Sequence, residues 1–469
     1  MSASQDSSSP AENPSPDDLR PEDEPVSGGA PESEEATGSE EAAESITAPA
    51  APWSLGRRVG FRFLFSVFWL DVFPFPLLLP GTHKLVAPLV TVWQEWVVWA
   101  GTRLLGFPEF THVQTGSGDT TYDWIDLLVT ITTAVVATGI WSVLDRRRPH
   151  YRRLAHWLVV AVRYYLAFVL LGYGFAKLIK TQFPFPGIRR LLTPYGDSSP
   201  MGLVWTFMGF SMPYNVFTGL GEVVGSLLLL YRRTTTLGAL VVIGVMSNVA
   251  MLNYSYDIPV KLFSTQLLIL AFALVALDGR RLLALFVQGR AVPAVVLEPH
   301  FRQQRWRRLA LAVKLLMIGL VLHQNVSSRL EMYGQWGDGR DKPDLYGLWD
   351  VERFAVDGEE SPPLLTDPVR WQNVIVEWEG YLTVRGMDGS FHSFTVVLDD
   401  ESETATLART RDRETTFLWH WERPDDDTLR LCGELDDQEI EVDLKHRPLD
   451  DFLLVGRGFH WVSERPFNR

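Results

Sequence analysis

Long apolar segments between residues 53 and 330 constrain the fold more than any other feature of this sequence. A helix needs about 20 predominantly apolar residues to cross the hydrocarbon core of a bilayer. The segments therefore predict a polytopic helical membrane bundle with about seven spans. Their expected bounds are 59–80, 124–144, 156–178, 216–231, 235–253, 262–278 and 309–326.

Two further apolar segments do not fit this pattern. Residues 85–106 contain Pro88 and Glu95, which favours an interfacial amphipathic helix, with a full span as the alternative. Residues 201–212 are too short to cross and predict a re-entrant or interfacial segment.

The distribution of arginines predicts the orientation. Cytoplasmic connections carry an excess of Lys and Arg. With seven spans, every arginine-rich connection falls on one side of the membrane. We therefore expect a multi-pass protein of the bacterial inner membrane, with a cytoplasmic N-terminus and the residues after 327 outside. The arginine groups are Arg57 and Arg58, residues 146–153, Arg232 and Arg233, and residues 280–308.

The two ends of the chain differ from this middle region. Residues 1–50 contain 13 acidic residues and a single basic one, Arg20, which is −12 of the net charge of −14. Such a segment buries no apolar core, so residues 1–52 are predicted to be a disordered acidic tail.

The single cysteine, Cys432, excludes an internal disulfide framework and a cysteine-based metal cluster.

Residues 340–469 read as an extracytoplasmic antiparallel β-domain. From Tyr346 onward, short segments alternate apolar and polar residues, and Asp388-Gly389 is a hairpin signal. Eight or nine short strands without a helix predict an antiparallel barrel or a sandwich. The last strand is expected within 451–461.

Charged residues near one predicted helix form the first candidate site. Lys177 and Lys180 lie at the end of the third apolar segment, and Glu222 lies well inside the fourth. A buried carboxylate needs a partner or a proton, and either lysine suits Glu222 by depth. The three residues are candidate catalytic groups, and a structural ion pair is the alternative interpretation.

Polar residues in the outward connections form a second candidate site. Charges near a low-dielectric boundary interact more strongly than in water, so a shared polar cluster is expected, with interfacial anchoring as the alternative. For Asn253, a hydrogen bond between two helices is a further alternative. The cluster comprises Asp119, Tyr122, Asp123, Asp197, Asn253, Asp257 and Lys261.

Familiar catalytic motifs are absent from the sequence. His156 and His323 have no histidine three or four residues away, which gives no zinc or haem pattern. No HExxH, Walker or GxSxG string occurs. We expect no metal site and no nucleic-acid partner.

Residues 156–280 resemble the DoxX-like membrane proteins of bacteria. The matching features are a helix closing on Gly174 to Lys177, a polar connection, and the Gly221-Glu222 pair in the next helix. Typical members are four-helix proteins, so this chain would be an enlarged relative. The resemblance implies an accessory or redox-linked component, since some members are subunits of thiosulfate:quinone oxidoreductase or partners in redox-stress complexes. It would place Lys177 and Glu222 near a quinone head group.

The β-domain weakly resembles the lipocalins and calycins. Gly347-Leu348-Trp349 opens its first strand, and Arg457 lies in its last predicted strand. The resemblance implies that Trp349 plugs one end of a barrel and that Arg457 stacks on it. A plain structural domain and a ligand-binding domain both fit this pattern.

Three functions remain open from the sequence. The first is an accessory membrane protein that holds a lipid or a quinone at an outward-facing polar site, with the β-domain as a cap or as a surface for a periplasmic or membrane protein partner. The second is an enzyme with a lysine base acting on a lipid-soluble substrate, similar in outline to the vitamin K-dependent carboxylase-like proteins. The third is a small-solute transporter.

Overall fold

The computed structural model describes residues 51–75, 83–108, 110–294, 301–399, 402–410 and 412–468. The predicted acidic tail lies outside these residues except for Ala51 and Pro52, so its disorder stays a prediction. Residues 55–469 form one compact unit.

Twelve helices are present in the described part of this unit. Their bounds are α1 Leu55–Asp71, α2 His83–Arg103, α3 Thr121–Leu144, α4 Arg152–Leu178, α5 Ile188–Leu192, α6 Pro200–Phe210, α7 Met212–Leu230, α8 Thr235–Ser255, α9 Lys261–Ala276, α10 Gly279–Leu282, α11 Gln304–Trp336 and α12 Leu453–Gly456.

Five of the described helices, α3, α4, α7, α8 and α11, are long and apolar enough to cross a membrane. A sixth span results if α9 and the segment that follows it count as one helix, bent by 69°. The helical region is therefore that of an integral membrane protein. The expected first span, 59–80, is instead a 17-residue helix that ends at Asp71.

One end of the bundle collects the arginine-rich connections. Arg62 in α1 is buried and donates to the Tyr151 hydroxyl at 2.7 Å and to the Asp145 carbonyl at 2.9 Å. Arg163 in α4 donates to the carbonyl of Leu229, in the last turn of α7, at 2.8 Å. A cation at a helix C-terminus satisfies carbonyls that have no partner within the helix. We call this the arginine end.

The opposite end carries the polar connections and the β-domain. The Gly118 amide donates to the Pro259 carbonyl at 2.7 Å, which joins the start of α3 to the start of α9. Lys180, after α4, pairs with Asp338, after α11, at 2.5 Å. We call this the barrel end. Contacts at both ends therefore make successive long helices antiparallel, and α1 runs from Arg62 at the arginine end to Asp71 near the barrel end.

The tightest helix pair is α4 with α7, because glycines meet at their crossing. A Cβ atom added to Gly174 would lie 2.6 Å from Val223 Cγ2 and 3.1 Å from the Gly219 carbonyl oxygen. Small residues let membrane helices approach to backbone contact. This approach places Lys177 on α4 opposite Glu222 on α7.

The two atypical apolar segments are both helices. Helix α2 contacts α3 through Val97 and Ala100, which pack against Tyr122, Ile125 and Val129 near the α3 N-terminus. It is not among the helices apolar enough to span, which agrees with the interfacial interpretation. Helix α6 has 11 residues and is also too short to cross.

The β-domain is a closed antiparallel barrel of eight strands. Strand β1 pairs with both β3 and β9, and β2 is a two-residue extension beside β1. Closure removes the exposed edges that an open sheet would leave. The bounds are β1 Gly347–Val356, β2 Glu359–Glu360, β3 Trp371–Trp378, β4 Tyr381–Gly386, β5 Phe391–Asp399, β6 Thr404–Arg409, β7 Asp412–Glu422, β8 Thr428–Leu435 and β9 Gln438–Arg447.

Aromatic side chains fill the barrel interior. Trp371 and Trp419 stack with ring centroids 5.5 Å apart, and Trp349 is also buried in this core. Gly433 leaves room for Trp419, since a Cβ there would lie 2.5 Å from the indole ring. A cavity of only about 40 Å³ remains, and all its lining residues are apolar or aromatic. The interior is thus a packed core.

The predicted barrel closure by Arg457 is wrong. Residues 449–456 form a 3₁₀ turn and α12 in place of the expected last strand, so Arg457 does not reach the barrel interior. Its guanidinium lies over the Phe467 ring at 4.1 Å. Trp349 instead donates to the Leu345 carbonyl at 3.0 Å and contacts the His446 ring.

The barrel is attached to the helical bundle through the connection after α4. Leu348 and Ile375 on its outer face pack against Ile188 and Leu192 of α5. The Ile188 amide also donates to the Glu377 carboxylate at 2.6 Å. Two strands are therefore buried on both faces at this point, which explains why Leu348 is fully buried beside the inward-facing Trp349.

Candidate functional site

A pocket of about 600 Å³ opens near the barrel end of the bundle. Its wall comes from the ends of α1, α3, α4 and α9 and from the loop before α3. Ligand pockets in proteins commonly measure 300–1,000 Å³. Its polar groups include Asp71, His112, Asp123, Asp126 and Gln266.

Two carboxylates project into this pocket from different helices. Asp71, the last residue of α1, accepts a hydrogen bond from Gln266 Nε2 at 2.8 Å. Asp126, one turn into α3, accepts from Trp93 Nε1 at 2.8 Å. Both donors are neutral, so the carboxylates repel each other across the pocket.

Aromatic rings form the apolar part of the wall. Tyr165 and Tyr173 of α4 both line the pocket, and Phe263 of α9 packs on Tyr173 with ring centroids 6.1 Å apart. The pocket therefore combines carboxylates with aromatic faces.

Lys177 and Glu222 form a buried ion pair behind this wall. Lys177 Nζ lies 2.7 and 2.9 Å from the two carboxylate oxygens, and the two side chains are only 7% and 3% exposed. The ammonium also lies 5.7 Å from the Tyr173 ring centroid. Neither charged residue lines the pocket, because Tyr173 separates them from it.

Lys180 is not part of that pair. It has a left-handed backbone conformation, with φ of 54°, and binds Asp338 together with the Phe185 amide. The sequence offered either lysine as the partner of Glu222. The turn that ends α4 separates them, so Lys180 instead ties the connection after α4 to the segment between α11 and β1.

Three members of the predicted polar cluster meet at the start of α9. Asp119 accepts hydrogen bonds from the backbone amides of Lys261 and Leu262 at 2.8 and 2.9 Å. Lys261 Nζ lies 2.9 Å from Asp257 and 3.6 Å from Asp119. A carboxylate at this position accepts hydrogen bonds from amides that have no partner within the helix, and it interacts favourably with the positive end of the helix dipole. These residues therefore hold a helix terminus and are not among the described residues that line the pocket.

The other members are separated from them. Asn253 donates to the Ser264 hydroxyl at 3.0 Å, joining α8 to α9. Asp123 forms a capping box with Thr120 and also lines the pocket. Tyr122 is buried in contact with His112, and Asp197 is exposed in a 3₁₀ turn. One shared cluster is therefore not formed.

The pocket residues Asp71, Asp126 and Gln266 were not singled out from the sequence. A signal was present, since Asp71 and Asp126 are carboxylates inside the predicted spans 59–80 and 124–144. Ionisable residues at such positions mark functional sites by default. Only the fold shows that the two helices bring them to one cavity.

Comparison with known proteins identifies a relative for part of the chain. A stretch of 129 residues is 34% identical to "Uncharacterized protein YwoB" of Bacillus subtilis (strain 168), covering 27% of this chain and 80% of that protein. The chain belongs to the same family as YwoB. No family model matches it, and no solved structure matches it.

The YwoB relationship assigns no activity to the pocket. Over the described residues, no group of three or more His, Cys, Asp or Glu could hold a metal ion. The site can therefore be described as an open, carboxylate-bearing cavity between membrane helices, with a buried ion pair behind one wall.

Proposed function

We propose that this chain is a DoxX-like accessory protein of the bacterial inner membrane that holds a small lipid-soluble ligand, a lipid or a quinone, in an outward-facing pocket. The observation that carries the proposal is the cavity of about 600 Å³ at the barrel end. Tyr165, Tyr173 and Phe263 offer apolar contact to such a ligand, and Asp71 and Asp126 offer hydrogen-bond acceptors to its polar head.

The arginines support the outward orientation. They gather at the end opposite the pocket, and positively charged connections stay in the cytoplasm. The pocket and the barrel then face outside. An alkaline phosphatase fused to the C-terminus should be active in cells, and an inactive fusion with equal expression contradicts this orientation.

A catalytic role for Lys177 is the alternative. A base must come within hydrogen-bond reach of its substrate. Lys177 is held by both oxygens of Glu222 behind Tyr173, so the ring would have to turn aside first. The geometry favours binding over this chemistry, and it offers no specific support for a transporter.

The ligand is tested by extraction. Full-length protein purified in detergent is extracted with organic solvent and analysed by mass spectrometry and ultraviolet absorption. We expect one hydrophobic molecule at near-stoichiometric amount. In Val113→Trp, an indole at the exposed rim of the pocket should reduce that amount several-fold. Bulk phospholipid alone, in equal amounts in both proteins, contradicts the proposal.

A further inference from the structure

We infer that the pocket selects a ligand whose head group is an organic ammonium, which deepens the function proposed above and rests on it. The carboxylates and aromatic faces of one cavity carry this inference. Among the described residues that line the cavity, three are acidic, Asp71, Asp123 and Asp126, one is a histidine, His112, and none is a lysine or an arginine.

The charges that line the pocket favour a cation. Asp71 and Asp126 receive hydrogen bonds from a glutamine and a tryptophan, and neither donor carries charge. Carboxylates near a low-dielectric region are costly unless an opposite charge compensates them. A cation between them removes their mutual repulsion and adds attraction to both.

Two lysines near the pocket do not supply that charge. Lys261, between the lining residues Val260 and Leu262, pairs with Asp257 and Asp119, which are not among the described lining residues. Lys177 is already neutralised by Glu222, with both carboxylate oxygens within 2.9 Å of its ammonium. Tyr173 stands between this pair and the pocket. The pocket therefore keeps its negative character although two lysines lie nearby.

The aromatic wall selects the kind of cation. An alkylammonium group is attracted to the face of an aromatic ring within about 6 Å of its centroid. Tyr165, Tyr173 and Phe263 provide such rings around the cavity. A hydrated inorganic ion gains little from them, and an organic ammonium gains from both the rings and the carboxylates. The ammonium can come from the head group of a lipid or from a free amine outside the cell.

Two probes of equal shape test the charge. Binding of choline and of 3,3-dimethylbutan-1-ol, its uncharged analogue, is measured by calorimetry on delipidated full-length protein in a maltoside detergent. We expect choline to bind at least about tenfold more tightly, since the analogue lacks the charge that the carboxylates attract.

Matched variants tie the charge to the pocket. Asp71→Asn and Asp126→Asn keep a side-chain oxygen for their neutral donors and should each weaken choline binding at least about tenfold. Asp197→Asn removes an exposed acid outside the pocket and should leave binding unchanged. Each variant must elute from size exclusion as the parent protein does.

The source of the ammonium is separated in nanodiscs. Phosphatidylethanolamine, compared with phosphatidylglycerol alone, should compete with choline if the ligand is a lipid head group. Equal choline binding in both discs assigns a free amine.

Failure of this inference is distinguishable from failure of the proposed function. If both probes bind equally, resist the Asp→Asn changes and are lost in Val113→Trp, the pocket binds ligands but does not select a cation. If neither probe binds, the ammonium inference is overturned. The extraction experiment then decides separately whether the pocket holds a different ligand.

Discussion

Replacing Lys177 by methionine should strongly destabilise the protein, because it leaves Glu222 charged and unpaired between two membrane helices. The ammonium lies 2.7 and 2.9 Å from the two carboxylate oxygens. Both side chains are almost completely buried. Removing one partner of such a pair costs about 3–5 kcal/mol. At roughly 2–4 °C per kcal/mol, the apparent melting temperature should fall by about 6–20 °C.

The double variant Lys177→Met, Glu222→Gln separates the charge from the packing. Neutral interhelical hydrogen bonds in membrane proteins contribute only about 0.6 kcal/mol on average. Removing both charges should therefore cost far less than removing the lysine alone, and the difference is the coupling energy of the pair. Thermal unfolding of detergent-purified protein, followed by tryptophan fluorescence, measures all the variants.

Lys261→Met is the matched control. Lys261 forms an ion pair with Asp257 at 2.9 Å, and the aspartate side chain is 87% exposed. Its contact with Asp119 is longer, at 3.6 Å, and Asp119 keeps two backbone amide donors without it. Exposed pairs contribute about 0–1 kcal/mol, so this variant should melt within a few degrees of the parent. If Lys177→Met melts like the control, the buried pair does not stabilise the bundle, and the assignment of a structural role to Lys177 fails.

Three further predictions follow from the packing and the charges. Gly174→Val should lower the melting temperature, because the new Cβ would lie 2.6 Å from a methyl group of Val223 and overpacking costs about 1–3 kcal/mol. Gly139→Val is the control, since a Cβ at Gly139 would have nothing within 4 Å. Asp338→Asn removes the ion pair that ties the connection after α4 to the segment between α11 and β1, so it should speed proteolysis of that segment. An unchanged rate argues that this ion pair does not hold the segment in place. A serine hydroxyl and two backbone amides donate to Asp367 and lower its pKa. A lowered folded pKa adds stability above the unfolded pKa that is lost as pH falls through the folded value, so Asp367→Asn should flatten the acid limb of the melting curve.

The architecture was largely predictable because hydropathy and strand periodicity are local signals. The span 156–178 corresponds to α4, and the hairpin at Asp388-Gly389 lies between β4 and β5. Span ends were less predictable. Helix α1 ends at Asp71 although apolar residues continue, and α4 begins at Arg152 because basic residues extend it at the arginine end.

The site was only partly predictable because its residues meet through tertiary packing. Glu222 needs a cation at a similar depth in the bundle, and the sequence offered two candidates for it, Lys177 and Lys180. Only the turn after α4 decides between them, by directing Lys180 toward Asp338. Asp71 and Asp126 are 55 positions apart, and no local pattern links them. Loop acids such as Asp119 were predicted as site residues because they lie in polar connections. In the structure, Asp119 accepts hydrogen bonds from amides at a helix N-terminus, as a capping residue does.

The position of the barrel bears on how the pocket works. No barrel residue is among the described residues that line the pocket, and the barrel interior leaves only about 40 Å³. The barrel instead contacts the connection after α4 through Glu377 and Ile188. The pair of Lys180 and Asp338 ties the same connection to the segment between α11 and β1. That connection continues the helix that carries Tyr165, Tyr173 and Lys177. A rigid attachment there fixes the end of α4, so the barrel stabilises one wall of the pocket from outside. This arrangement favours a supporting domain over a lid that covers the pocket.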